Sequence, residues 1–258
     1  LTVVAIAAIA ISFNVAFHEG VHVLACLVVG GDLQGYSALY ASCDSSTVAQ
    51  GKIVAGSAPT FNLIAGTLFW ILLRNARRQA SETQYFLWLL MLMNWFYGAG
   101  YFIFSGIVNF GDWAVVIDGW EPGWLWRVLI TIVGALLYAV FIRLGMREFG
   151  KIVGADGDEQ IRRATKLCVL SYVTSFAVVL MAGFFCPYGF LSSPVTAGLF
   201  GVAGALSPFL LMIRLFRTEG FAKLNKEQLE IHRKWQWLVA AVVVVFAYVV
   251  ILGRTLYF

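Results

Sequence analysis

Charge is what this chain lacks. Only 12% of its 258 residues are Asp, Glu, Lys or Arg, and 60% are hydrophobic, whereas an ordinary soluble domain carries about 25% charged residues. That balance excludes a water-soluble globular fold and points to a protein of the lipid bilayer. The net charge of +4 is small, and the basic residues fall between apolar runs, so nothing suggests nucleic acid as a partner. Cysteine is scarce as well. Cys26, Cys43, Cys168 and Cys186 show no C-x-x-C spacing, which argues against a zinc ribbon or a dithiol redox pair. The first apolar run has neither a basic leading segment nor a small-residue cleavage site, so it reads as a retained span and not as a removable signal peptide.

Long apolar runs are what the chain has in abundance. A helix needs about 20 mostly apolar residues to cross the hydrocarbon layer. Seven stretches qualify, near 1–30, 53–73, 84–107, 123–142, 167–186, 192–213 and 236–253. They predict an all-α, polytopic bundle of about seven transmembrane helices with no soluble domain between them. RNARRQASET (74–83) and REFGKIVGADGDEQIRRATK (147–166) read as polar connections. GDLQGYSALYASCDSSTVAQGK (31–52) mixes small polar and β-prone residues, which suits either a short hairpin or an irregular surface loop. TEGFAKLNKEQLEIHRKWQW (218–237) has the spacing of a helix lying on the membrane surface. Pro194 and Ser207-Pro208 predict kinks, and Asp156, Asp158 and Glu159 a solvated cluster among basic neighbours.

If the spans alternate, one side collects three basic residues in 74–78, six in 143–166 and six in 214–234, making 15 of the 18. The positive-inside rule makes that side cytoplasmic. The expected location is therefore a multi-pass protein of the cell membrane with loops 74–83, 143–166 and 214–235 inside. Cys43 and Cys186 then share the outer side, where a disulfide is permitted.

One feature does not belong in lipid. FHEGVH (17–22) places two of the three histidines and a glutamate inside the first apolar run. His18 and His22 are four residues apart, so a helix stacks them on one face, where both imidazoles can grip one Zn²⁺. Glu19 lies on the flank, placed to take a proton from a metal-activated water, the pairing of the H-E-x-x-H pattern. Two packing histidines and a chance glutamate would be the alternative, but a charge in a span is expensive without a partner. A catalytic tetrahedral zinc needs a further protein ligand. His232 lies on the opposite side, and Cys26 is too far along the same helix. Asp32, Asp44, Asp112, Asp118 and Glu121 remain, of which Asp112 and Asp118 lie in a segment that can fold back toward the membrane. Asp112 is favoured, because Gly106 and Gly111 let its backbone bend and it lies nearer the depth of His22.

These residues resemble the site-2 protease group of intramembrane metalloproteases (peptidase family M50), in particular its compact M50B-like members. The resemblance covers about residues 10–120. It rests on FHEGVH, on Gly30-Gly31 closing that helix, and on AGSAPTFN (55–62), which resembles the family's Gly-x-x-Pro-x-x-Asn segment through Gly56, Pro59 and Asn62. The family's third ligand is an aspartate in an Asn-x-x-Pro-x-x-x-x-Asp-Gly setting. This chain departs from it, with Asn109-Phe110-Gly111-Asp112 lacking the proline and Asp118-Gly119 lacking the asparagine. The resemblance implies a catalytic core over 1–122, with 123–258 adding helices to the same membrane domain. It also implies Zn²⁺ on His18, His22 and Asp112, Glu19 as general base, and Asn62 and Asn109 as substrate contacts. From the residues alone, Asn62 could equally satisfy carbonyls freed by Pro59, and Asn14 either orients a ligand or packs between helices.

The expected function is that of an intramembrane zinc metalloprotease hydrolysing membrane-embedded or membrane-adjacent proteins. A zinc hydrolase of lipid amides or esters, or a non-catalytic membrane scaffold retaining the motif, are the rival classes. The family leads one to expect a site opening toward the cytosol, whereas the charge split places its mouth outside.

Overall fold

The computed structural model describes residues 1–258 apart from 77–78, 154–156 and 219–229. In chain order it comprises α1 (Thr2–Val28), β1 (Asp32–Tyr36), β2 (Ala41–Asp44), α2 (Val48–Asn75), α3 (Ser81–Val108), α4 (Asp112–Ile117), α5 (Gly123–Val153), α6 (Gly157–Gly183), α7 (Ser193–Ala205), α8 (Pro208–Thr218), α9 (Trp235–Phe246) and β3 (Leu256–Tyr257). Seven helical stretches among the described residues are long and apolar enough to cross a membrane, one in each predicted run. The sixth of these comprises parts of α7 and α8.

Helices in lipid gain little from hydrophobic association and must instead pack closely. α1 does so through its alanines: Ala7 and Ala10 are fully buried beside Ile6 and Ile11, and the helix packs against α2, α3, α6 and α9. α3 is the other central element, with Tyr85, Trp88, Leu89, Met91, Leu92 and Met93 enclosed. Its Trp88 stacks on Phe149 of α5 at 4.0 Å between ring centroids.

The prolines act differently from one another. Pro208 has no N–H for the preceding turn, so α7 stops and α8 begins there. The Gly204 carbonyl accepts the Ser207 N–H and hydroxyl instead, while Tyr172 and Tyr138 donate to the Ala203 and Ala205 carbonyls. Pro194, expected to kink a span, sits in the first turn of α7, where a missing N–H costs nothing. The polar stretch 147–166 is not a simple connection either. α5 extends to Val153 and α6 begins at Gly157, with Lys151 2.8 Å from the buried Glu148 in the last turns of α5 and Arg163 2.7 Å from the exposed Glu159 at the start of α6. Asp156, and residues 219–229 of the expected surface helix, lie outside the described residues.

The 31–52 segment forms the hairpin. β1 pairs antiparallel with β2 (Leu33 opposite Cys43, Tyr36 opposite Ala41) and also with β3, giving the order β2-β1-β3. The sheet is fastened to the helices by Tyr36 Oη donating to the Ala16 carbonyl (2.8 Å) and Tyr248 Oη donating to the Ala38 carbonyl (3.0 Å). A disulfide links Cys26, at the end of α1, to Cys43 in β2. This corrects the pairing of Cys43 with Cys186, which is a free, buried thiol near the Ser192 hydroxyl. Cys26 faces β2 directly, with 5.9 Å between Cα atoms, within bridging range.

Candidate metal centre

The centre lies between α1, α2, α3 and α4. His22 is six residues before the end of α1 and His18 ten, or about 9 and 15 Å along the axis at 1.5 Å per residue. Both are buried, as is Glu19. The fourth contributor arrives by a reversal of the chain. α3 ends at Asn109 in the left-handed conformation (φ 57°), and Gly111, at φ 89°, turns the backbone back so that Asp112 opens α4. Trp113 stacks on Phe102 at 4.2 Å, holding α4 against α3. The Lys52 ammonium donates to the Asp118 carbonyl and ties the far end of α4 to α2.

Asp112 Oδ2 is 3.3 Å from His18 Nε2 and 3.5 Å from His22 Nε2. One ligand atom from each of the three residues lies within 4.8 Å of the others. The outer ring nitrogens are engaged: His22 Nδ1 is 2.8 Å from the Val54 carbonyl and His18 Nδ1 is 2.6 Å from Asn62 Oδ1. A ring whose Nδ1–H donates presents a bare lone pair at Nε2. Two lone pairs and a carboxylate therefore converge, and His18 Nε2 and Asp112 Oδ2 are buried without a hydrogen-bond partner. Such a group needs a cation, or in its absence a proton, at its centre. Burial opposes ionisation of Asp112, yet the charge its histidine neighbours take up when a proton fills the group holds its carboxyl well below the usual carboxylate range. The group could hold a metal ion, and two imidazoles with one carboxylate form a donor set that suits zinc with a position left open.

Glu19 stands beside the group, on the side of α1 against which β2 packs. It also lines a cavity of about 1650 Å³, whose wall includes His22, Asp112, Tyr97, Tyr101 and Phe104 and which reaches Ile142 of α5 and Leu211 of α8. Tyr101 stacks on His18 with ring centroids 4.8 Å apart.

The structure brings His18, His22 and Asp112 together and sets Glu19 alongside. Asp118 is not part of that group, and Asp32 and Asp44 face each other across the hairpin. His232 is at the other end of the bundle, where its N–H donates to Glu82. Asn109 is exposed on the cavity rim. Asn62 is fully buried, and its amide is engaged by His18 and by Asn94. Its bonds thus run to two side chains and not to a carbonyl freed by Pro59. Sequence reasoning missed Asn94, Tyr97 and Tyr101. Asn94 had a signal, as a lone amide within LLMLMNWFYG, but the two tyrosines look like any aromatic in a span. Comparison of the chain with protein-family models, curated proteins and solved structures gave no match.

Proposed function

We propose that this chain is an intramembrane zinc metallopeptidase of the kind the FHEGVH segment resembles, acting on membrane-embedded or membrane-adjacent proteins. One observation carries the reading. His18, His22 and Asp112 converge beside Glu19 at the wall of a large cavity, inside a bundle of apolar helices. Zinc bound there would supply a Lewis acid that lowers the pKa of water to about 7 and polarises the scissile carbonyl. Glu19 would take the proton from the attacking water and return it to the leaving amine. A substrate helix has its amides hydrogen-bonded and must unwind first, and β2, an edge strand among the described strands, offers a template on which an extended segment can pair.

Orientation follows from two independent features. With the spans alternating, 15 of the 18 basic residues of the sequence fall in connections opposite the hairpin segment, and the Cys26–Cys43 disulfide beside the hairpin suits an oxidising compartment. Both favour a site mouth on the outer face.

The test is Glu19→Gln assayed on transmembrane reporter peptides in proteoliposomes. Zinc should stay bound while turnover falls by about 10²-fold or more. Full activity in this variant would refute the assignment of the base. The apolar reach of the cavity toward Ile142 and Leu211 favours a second reading, hydrolysis of lipid amides or esters. Parallel turnover of peptide and lipid substrates separates the two, and a zinc-loaded protein inert toward both would leave the scaffold reading.

A further inference from the structure

Two buried asparagines connect His18 to the backbone of α3 in an unbroken chain. Asn94 Nδ2 donates to the Leu90 carbonyl at 2.8 Å, Asn62 Nδ2 donates to Asn94 Oδ1 at 2.9 Å, and Asn62 Oδ1 lies 2.6 Å from His18 Nδ1. None of the three side chains is more than 3% exposed, so bulk water does not compete for these bonds.

The direction of the chain is forced from its far end. A carbonyl oxygen only accepts, so Asn94 must turn its NH₂ toward Leu90 and its oxygen toward Asn62. Asn62 then offers its NH₂ to Asn94 and its oxygen to His18. An oxygen facing Nδ1 at hydrogen-bond distance requires Nδ1 to carry the proton. Reversing any link reverses them all, and the reversal ends with two bare oxygens 2.8 Å apart at Leu90. We propose that Asn94, acting through Asn62, is a positioning residue that fixes His18 as the Nδ1–H tautomer and so reserves Nε2 for the metal. This rests on His18, His22 and Asp112 being a metal site, and not on peptide hydrolysis. His22 obtains the same service from the Val54 main-chain carbonyl, which no side-chain change removes. His18 alone depends on replaceable side chains.

The sequence writes this device twice. Asn62 is followed four residues later by Gly66, and Asn94 by Gly98. A Cβ at Gly66 would run into the Trp95 indole, and one at Gly98 would lie 2.7 Å from Leu63 and 3.0 Å from the Pro59 carbonyl. Both glycines let α2 and α3 approach until two short carboxamides can meet.

Two measurements on purified full-length chain test the proposal. Zinc affinity is read by competition with a chelator. Isotope-labelled histidine in protein loaded with NMR-active cadmium identifies which ring nitrogen holds the metal, an assignment simplified by the presence of only three histidines. His18 should hold cadmium through Nε2 with its proton on Nδ1. Asn62→Leu should weaken zinc binding about 10- to 100-fold, and Asn94→Leu, one link further away, about tenfold. Asn94→Asp should retain wild-type affinity, because a carboxylic acid can donate to Leu90 and still present an oxygen to Asn62. Undiminished zinc affinity in Asn94→Leu, or ligation of His18 through Nδ1 in the wild type, overturns the proposal. The wild-type spectrum decides even if Asn94→Leu does not fold. Affinity and tautomer as stated, without peptide turnover, would count against the peptidase reading alone.

Discussion

Gly98→Ala adds one methyl group at the point where α2 and α3 touch. On the existing backbone its Cβ lies 2.7 Å from Leu63 Cγ and Cδ2 and 3.0 Å from the Pro59 carbonyl oxygen, whereas ordinary contact begins near 3.4 Å. Leu63 can rotate away; the Pro59 carbonyl, fixed in the helix, cannot. The helices must therefore part by about 0.4 Å if Leu63 yields and by about 0.7 Å if it does not. One turn away, that opening stretches the Asn62–Asn94 hydrogen bond from 2.9 Å to between about 3.3 and 3.6 Å. An N–H···O bond fades across that range. Losing about 1 kcal/mol of hydrogen bonding corresponds to roughly fivefold weaker zinc binding, with a separate overpacking cost of about 1–3 kcal/mol in stability. Chelator competition measures the first, and thermal unfolding in detergent the second. Gly201→Ala is the control, since a Cβ there meets nothing within 4 Å, and it should leave zinc affinity unchanged. A Gly98→Ala protein that is destabilised yet binds zinc as tightly as the wild type would refute the link between helix spacing and the metal site.

Asp112→Asn should lose zinc by more than the 10- to 100-fold that substitution of a ligand's hydrogen-bond partner costs, while Asp118→Asn retains it; metal analysis of the two side by side decides, and the opposite pattern would reassign the ligand. Cys26→Ser should cost about 3 kcal/mol for a bridge closing a loop of this length, seen as a lower unfolding temperature that reductant reproduces in the wild type; no shift in either would mean the bridge does not form. A cysteine placed at the exposed Ser46 should react with an impermeant reagent added to intact cells, and reaction only after lysis would reverse the orientation.

The parts of this architecture that were legible in the sequence are those set by local physics. Seven apolar stretches predict seven crossings because the thickness of the bilayer, not the identity of neighbouring helices, sets their length. His18 and His22 share a face because a helix repeats every 3.6 residues. Asp112 could be preferred over Asp118 because Gly111 permits the positive φ that turns the chain back. What could not be read depends on partners distant in sequence. Topology alone pointed Cys43 toward Cys186, because nothing local shows that β2 lies against the end of α1, where Cys26 meets it. The role of Asn62 was ambiguous because its partner, Asn94, comes from the next helix. Two β-prone residues at 256–257 carry no pattern long enough to announce a strand.

That last strand has a consequence for how the protein is made. β3, which pairs with β1, follows the seventh long apolar helical stretch in the chain. A nascent chain that has reached the end of α4 already holds both histidines, Glu19 and Asp112, but not the third strand of the sheet whose β2 packs against α1. The frame around the centre is thus completed only by the segment that follows α9, and a chain halted before it carries the ligands without the finished sheet.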